Sequence, residues 1–385
     1  MSKPIVVMKF GGSSLADVDK IRNVATIVSN RHKNGEQVVV VVSATGKTTD
    51  DLLKLASSIS SGTHKRELDM LLTAGERISM ALLAMAIKDK GINAISFTGS
   101  QCGIITNDNH FNARIIEVRP FRVQDELDKG QIVIVAGFQG VSYKKEITTL
   151  GRGGSDTTAV ALSAALNANG CEIYSDVDGV YTADPRIVDP FRLIDLNYSE
   201  MMEMAYRGAK VLNFHAVEFA RRKNIAIYAR SSSGGGETVV RKITVEKNGP
   251  VSVTSSNTLL GISFQSEENL MDLLQIFKNE EIKSKYTVFT NRGGLIFIDI
   301  STYPSVKYLS LENSVLCCSI SIIGTGIEAI NDIFPAASEF IKKNNIEILA
   351  IETGHTHLTF YINSTDDKLL VKEFHKLFIE NSIQI

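Results

Sequence analysis

Gly151-Arg152-Gly153-Gly154-Ser155-Asp156-Thr157-Thr158-Ala159 is a glycine-rich loop that runs into a segment of helical period, Thr157 to Leu166. A strand-like run, Ile132 to Ala136, lies before it, and another, Glu172 to Ser175, follows it. Alternation of strand and helix of this kind implies an α/β layered domain around a mostly parallel sheet. The loop is also chemically loaded. Glycines expose backbone N–H groups, Arg152 offers a fork for an oxyanion such as an α-carboxylate, and Asp156 suits an ammonium group or Mg²⁺. A glycine-rich N-cap with Asp156 as the capping group fits the same string. The next strand leads into Ser175-Asp176-Val177-Asp178-Gly179-Val180-Tyr181-Thr182-Ala183-Asp184-Pro185-Arg186. Asp176, Tyr181, Asp184 and Arg186 suit an adenine nucleotide; a plain Asp-Gly turn would not need Tyr and Arg at those offsets.

Outward from these loops, the pattern continues from residue 4 to about 230. Ile5 to Phe10, Val38 to Ser43, Ala94 to Phe97 and Ile225 to Ala229 read as further strands, and Asp17 to Ser29, Asp50 to Ile59, Lys65 to Lys88 and Tyr198 to Ala205 as helices. The expected fold is α/β, layered around a mostly parallel sheet, with ligands where loops leave the strands' carboxyl ends.

Three other segments carry chemistry. Met8-Lys9-Phe10-Gly11-Gly12-Ser13-Ser14 follows the first strand and opens the first helix, so its N–H groups can face an anion while Lys9 reaches the β- and γ-phosphates. An ordinary turn with a surface lysine is the plainer alternative. Ser43-Ala44-Thr45-Gly46-Lys47-Thr48-Thr49 ends like a P-loop, but the glycine that motif requires five positions before Gly46 is Val41. The Walker A reading is therefore rejected. A hydroxyl-rich loop remains, in which Ser43 and Thr49 either bind a small polar substrate or cap a helix. Thr73-Ala74-Gly75-Glu76-Arg77 sets a carboxylate beside a glycine that costs a helix about 1 kcal/mol, which suggests close approach to a ligand or another backbone. Lys210 touches phosphate or lies at the surface.

Composition narrows the class. The chain has 385 residues, 44% hydrophobic and 22% charged, enough for two or three domains. A net charge of −2 excludes a generic nucleic-acid binder. It hides an asymmetry: residues 1–250 carry 31 Lys+Arg against 27 Asp+Glu (+4), and residues 251–385 carry 10 against 16 (−6). An anionic ligand would prefer the first part. Cys102, Cys171, Cys317 and Cys318 show no metal-ligand spacing and are expected to be reduced and buried. With neither a signal-peptide apolar region nor an 18-residue apolar stretch, a cytoplasmic location is expected, without membrane or nucleic acid as partner.

Ser231 to Gly236 and the polar Lys247 to Asn257 mark a domain boundary between about 231 and 257, separating domains at 1–240 and 251–385. Beyond it lies a degenerate repeat. Leu259 to Phe264, a helix with Leu270, Leu273, Leu274 and Phe277, then Tyr286 to Thr290 and Leu295 to Ile300, form a first module at about 258–312. Ser319 to Ile323, a helix with Ile330, Ile333, Phe334 and Ala337, then Ile346 to Ile351 and Leu358 to Ile362, form a second at about 317–385, closed by a helix from Asp366 to Phe378. The expectation is a tandem βαββ pair. Pro335 bends the second helix or delays its start.

Taken in order, Lys9-Phe-Gly-Gly-Ser-Ser, Ser43 with Thr49, Gly75-Glu-Arg, Gly151-Arg-Gly-Gly-Ser-Asp-Thr-Thr-Ala, Asp176-Val-Asp-Gly-Val-Tyr-Thr-Ala-Asp-Pro-Arg and Gly208-Ala-Lys-Val resemble the aspartate kinase family of the amino-acid kinase superfamily. The C-terminal repeat resembles that family's paired ACT modules, with Ser319-Ile-Ser-Ile-Ile-Gly-Thr-Gly close to the opening of the second. The resemblance implies an αβα sandwich followed by ferredoxin-like ACT modules, and ATP- and Mg²⁺-dependent phosphorylation of the L-aspartate side chain, the first step toward lysine, threonine and methionine. It implies catalytic roles for Lys9 and Asp156, aspartate contacts from Ser43, Thr49, Glu76, Arg152 and Ser155, and nucleotide contacts from Lys9, Phe10, Gly11, Gly12, Ser175, Asp176, Tyr181, Asp184, Arg186, Lys210 and Val211. It leaves the Mg²⁺ ligands unassigned. Lysine or threonine is the implied effector at the ACT-like modules, and edge-to-edge pairing of their sheets implies at least a homodimer.

This chain departs from the family pattern in three places: Ser175 replaces the frequent Thr, Asn213-Phe214-His215 replaces His-Pro-Arg or similar, and Gln265-Ser-Glu-Glu-Asn replaces a Pro-Gly pair before the first module's helix. Two other functions compete. A kinase for glutamate or acetylglutamate is disfavoured by Arg152-Gly-Gly-Ser-Asp and the tandem repeat, and a non-catalytic amino-acid sensor by the retention of Lys9, Arg152 and Asp156 together.

Overall fold

The computed structural model describes residues 3–60, 62, 64–243, 249–280, 282–290, 293–300, 313–325 and 333–381. Its contacts divide the chain into two units. The first comprises Met1–Val180, Arg192–Ala205 and Lys210–Thr244; the second comprises Tyr181–Phe191, Tyr206–Ala209 and Val245–Ile385.

The first unit is built on an eight-stranded sheet in the order Asp195–Leu196, Glu237–Val240, Ile227–Ser231, Cys171–Ser175, Ile5–Phe10, Gln37–Val42, Ile132–Ala136 and Ala94–Phe97. The six strands from Ile227–Ser231 to Ala94–Phe97 run parallel, and Glu237–Val240 and the edge strand Asp195–Leu196 run opposite to them. Parallel strands buried on both faces need continuous apolar runs, and Gln37–Val42, five valines after a glutamine, is such a run. Val6, Met8 and Phe10 pack with Val24 and Val28 of the helix Val18–Lys33 and with Leu83 and Ile87 of the helix Lys65–Lys88. Side chains alternate along a strand, so Lys9 points to the opposite face, where the helix Gly154–Ala165 packs across Ile5–Phe10, Gln37–Val42 and Cys171–Ser175.

The expected strands and helices of this unit form within two to four residues of their predicted ends. A smaller four-stranded sheet, Ile115–Val118, Ile104–Thr106, Gln139–Ser142 and Ile147–Thr149, was not foreseen, nor were the helices Phe121–Asp128 and Phe214–Lys223. The helix Lys65–Lys88 is long and apolar enough to cross a membrane by composition. One face of it, with Leu72, Leu83 and Ile87, is core.

In the second unit, the strands Tyr286–Thr290, Gly293–Asp299, Gly249–Phe264, Ser314–Thr325, His357–Ile362 and Ile348–Gly354 form one antiparallel sheet in that order. The two long strands Gly249–Phe264 and Ser314–Thr325 pair at its centre, so the halves of the repeat share a sheet. The helix Glu267–Asn279 buries Leu270 and Phe277, while Leu274, expected on the same stripe, is exposed. Ser266 caps that helix by accepting from Asn269 N at 3.2 Å. Pro335 is the third residue of the helix Ile333–Lys343, within the first turn, where its missing N–H removes no intrahelical bond. Ile330, Gly326 and residues 301–312 of the expected modules lie outside the described residues. The closing helix is Lys368–His375, continued by a π turn at Lys376–Glu380. The stretch read as a polar boundary holds the strand Glu237–Val240 and the start of Gly249–Phe264, and among its described residues 232–236 and 241–243 carry no strand. All four cysteines are buried and free.

Candidate active site

The functional loops of the first unit leave the sheet at one edge, the carboxyl ends of the parallel strands. Lys9 stands one residue before the end of Ile5–Phe10, in register with Val41 and Ile173 of its neighbours. On the face covered by Gly154–Ala165 its ammonium meets Asp156 Oδ1 at 2.6 Å, with both side chains largely buried. Asp156 lies in the helix's first turn, where a carboxylate also gains from the helix dipole. Its other oxygen accepts from the Asn213 N–H at 3.3 Å. The alternative of Asp156 as an N-cap is thereby removed: the cap is Gly153, at φ 74°.

Asn213, met in the sequence as a departure, joins the loops. Its side-chain oxygen caps the helix Phe214–Lys223 by accepting from His215 N and Ala216 N, and its Nδ2 donates to the Arg152 carbonyl at 3.1 Å. A Cβ on Gly153 would lie 2.1 Å from Asn213 Nδ2, so glycine is obligatory there on space as well as on φ. Arg152 itself is exposed. Ser155 is buried, and a Cβ on Gly137 would stand 2.7 Å from its Oγ. Gly137 and Phe138, which follow the strand Ile132–Ala136, therefore belong to the site's wall. The sequence reading missed them, although a Gly-Phe-Gln-Gly run after a buried strand is a signal of close backbone approach.

Glu76 sits on the inner face of Lys65–Lys88 and is 3% exposed. Its Oε1 accepts the Ala44 N–H at 3.0 Å, and its Oε2 has no hydrogen-bond partner. Burial pushes its pKa up to about 7, against the pull of the Ala44 bond. The close approach expected at Gly75 is to Ala44, whose Cβ would lie 2.7 Å from a Cβ on Gly75. Ser43 and Thr49 do not cap the helix Thr48–Ile59; its N-cap, Lys47, makes no side-chain cap bond, and the turn is closed by Thr48 Oγ1 donating to the Thr45 carbonyl at 2.7 Å.

The glycine turn after Lys9 differs from expectation. Gly12–Leu15 is a short 3₁₀ turn, and the α-helix starts after it at Val18, capped by Asp17. The Gly11 N–H is taken by the Tyr174 carbonyl at 3.1 Å and the Ser14 N–H by the Gly11 carbonyl at 3.0 Å. Gly12 and Ser13 keep the amides that the turn does not use, and Gly12 abuts Ala44 O, 2.7 Å from where its Cβ would be. Phe10 is fully buried and stacks on Tyr174 at 4.5 Å, so only its backbone faces the loops. Ser175 Oγ turns inward to accept from Val177 N, Asp176 and Lys210 are exposed, and Val211 is half-buried.

Tyr181, Asp184 and Arg186 fall in the second unit. There Arg186 Nη2 holds Asp184 Oδ2 at 2.7 Å, Thr182 O accepts from Val253 N at 2.7 Å, and Thr182 Oγ1 meets His375 Nε2 at 2.8 Å. The same unit contains a buried cluster the sequence did not announce. Arg207 pairs with Glu352, which also accepts from Tyr361 at 2.8 Å. Although burial works against it, bonding from Arg207, His357 and Tyr361 holds the Glu352 pKa down to about 2.

Residues 4–231 match the amino acid kinase family. The chain is 59% identical to an aspartokinase of Mycolicibacterium smegmatis, over 97% of this chain and 96% of that one. The chain belongs to the aspartokinase family. It is also 41% identical to the aspartokinase of Corynebacterium glutamicum, over 97% and 96% of the two chains. In fold it resembles Escherichia coli aspartokinase III, solved with aspartate and ADP, at TM-score 0.80 and 23% identity over 97% and 99% of the chains. As an aspartokinase this protein is a phosphotransferase that phosphorylates aspartate, at the head of aspartate-derived amino-acid biosynthesis.

Proposed function

We propose that aspartate binds in the first unit with its α-ammonium on Glu76, its α-carboxylate on Arg152 and its β-carboxylate toward Lys9, and that Ser43, Thr49 and Ser155 complete the contacts. The observation that carries this reading is the buried Glu76 Oε2, an acceptor without a donor at the loop edge of the sheet. An unfilled buried carboxylate oxygen is costly, and a substrate ammonium satisfies it.

The chemistry then needs alignment and charge neutralisation more than proton transfer. The β-carboxylate of aspartate, with a pKa of about 3.9, is already ionised at neutral pH, so no general base is required. Asp156 is occupied on both oxygens, by Lys9 and by the Asn213 N–H, and so acts as an organiser. It holds the Lys9 ammonium where the transferring phosphoryl group of ATP gathers negative charge, with the Gly12 and Ser13 amides at the same turn. Among the described residues no group of three or more His, Cys, Asp or Glu could hold a metal. Asp156 is the carboxylate that would hold Mg²⁺, and the ion would supply neutralisation of the phosphate charge.

The second unit is proposed to bind an amino-acid effector, lysine or threonine. Escherichia coli aspartokinase III has been solved with lysine and aspartate. The edge strands Tyr286–Thr290 and Ile348–Gly354 leave ladder groups for a second copy, which supports at least a homodimer.

The test is ADP release from Mg²⁺-ATP with L-aspartate, L-glutamate or no acceptor, repeated with lysine, threonine or both. Aspartate-dependent release that Arg152→Ala weakens by raising the aspartate KM is the expected result. Release that is indifferent to the acceptor, or an unchanged KM in Arg152→Ala, would contradict the assignment.

A further inference from the structure

Seven residues before Glu76 on the same helix, two turns away and on the same inner face, stands a second buried carboxylate, Asp69, with no exposure at all. It touches none of the residues assigned above to substrate. Instead it binds two segments that converge on the Arg152 loop. Its Oδ1 accepts from Thr149 Oγ1 at 2.6 Å and from the Phe111 N–H at 3.0 Å; its Oδ2 lies 2.6 Å from His110 Nδ1 and 3.2 Å from the Phe111 nitrogen. Thr149 ends the strand Ile147–Thr149 three residues before Arg152, and its carbonyl accepts from Ala113 N at 2.8 Å. Phe111 is held at φ 69°, a conformation a bulky residue adopts only when its surroundings impose it. The segment so fixed leans on Gly151: a Cβ there would stand 3.0 Å from Asn112 Oδ1 and 3.4 Å from Phe111 O, and Gly151 is itself at φ 74°.

We infer that Asp69 is a positioning residue for aspartate recognition: by tying Thr149 to the His110–Phe111 turn it sets Gly151, and through Gly151 the direction of Arg152. The Phe111 N–H donates to both oxygens and the Thr149 hydroxyl to one of them, so asparagine in this place would turn its NH2 against the Phe111 N–H. The inference rests on the reading of Arg152 as the α-carboxylate contact. It predicts a loss confined to aspartate, because the Lys9–Asp156 pair is held by other bonds.

The experiment compares Asp69→Asn, Thr149→Val and Arg152→Ala, alone and combined, by steady-state kinetics with aspartate and with ATP varied. Thr149→Val removes one donor and leaves the Phe111 and His110 contacts in place, so it decides the matter where Asp69→Asn does not fold. The expected result for each of these two is an aspartate KM raised about tenfold, with kcat and the ATP KM within about threefold of the wild type. In an Arg152→Ala background either change should add less than about twofold, as it must if it acts through the arginine. An unchanged aspartate KM in Arg152→Ala would remove the underlying reading and the inference with it. A raised KM in Arg152→Ala with none in Thr149→Val, equal losses for aspartate and ATP, or full additivity would overturn the inference alone.

Discussion

Two carboxylates stand in two regions of the catalytic unit, Asp156 on the face of the sheet reached by Lys9 and Glu76 on the helix packed behind the Ser43 loop. Asp156 has a protein partner on each oxygen, an ion pair with the Lys9 ammonium at 2.6 Å and a backbone N–H at 3.3 Å. Glu76 is half filled, with one oxygen on Ala44 N and the other without a partner, and its pKa is pushed up to about 7 by burial. The difference separates two kinds of acidic residue in one site. On the proposed reading, the carboxylate with protein partners builds the machinery and the one that lacks a partner is completed by the substrate.

The largest effect should follow from breaking the paired side. Lys9→Ala removes the charge proposed to neutralise the transferring phosphoryl group and leaves Asp156 without its cation, so kcat should fall by about 10³-fold or more while the aspartate requirement changes little. A steady-state comparison checks it; an unchanged kcat would take Lys9 out of the mechanism. Breaking the unfilled side should give the opposite signature. Glu76→Gln should raise the aspartate KM by about 100-fold and leave the ATP KM near its wild-type value, since an ammonium loses its charged partner.

The same substitution should separate stability from function. A carboxyl group whose folded pKa lies above its unfolded value binds more protons in the native state. Its contribution is therefore most favourable below the unfolded value near 4.5, falls as pH rises to about 7, and is level above that. Glu76→Gln should accordingly make the ligand-free protein more stable at pH 8, by on the order of 2 kcal/mol, and leave it little changed near pH 5. Melting curves at the two pH values test this.

The smallest expected effect belongs to the joint between the loops. Asn213→Ala should cost about 1 kcal/mol of stability through the lost helix cap and lower kcat/KM several-fold through the lost bond to Arg152. Asn213→Asp sharpens the point: it can cap the helix but cannot donate to the Arg152 carbonyl, so it should restore the melting temperature and not the activity.

These residues also mark how far the sequence could be read. Strands such as Gln37–Val42 and the helix Lys65–Lys88 were legible because their apolar periods are long. The four-stranded sheet was not, because Ile104–Thr106 and Ile147–Thr149 are too short to show a period. Lys9 and Asp156 could be named from their glycine loops, but their pairing depends on side-chain alternation in one strand and on the crossover that lays one helix over it. Asn213 read as an irregularity because its role is to join loops some sixty positions apart. Asp69 gave only one sign, an acid two turns from Glu76 on the buried helix face that also carries Thr73 and Ser79. The assignment of Tyr181–Phe191 to the second unit depends on packing around Ala183, Ile187 and Val188 that no local pattern encodes.

The most direct test of the contrast is the affinity of the wild-type protein and Glu76→Gln for aspartate, measured by calorimetry between pH 6 and pH 8. The substrate's ammonium stays protonated across that range, and Glu76→Gln isolates the part of any change that belongs to Glu76. Wild-type affinity should rise about tenfold from pH 6 to pH 8 as Glu76 ionises through about 7, with Glu76→Gln weak and flat. A wild-type affinity independent of pH, or one that Glu76→Gln reproduces, would contradict the assignment of the unfilled carboxylate to the substrate.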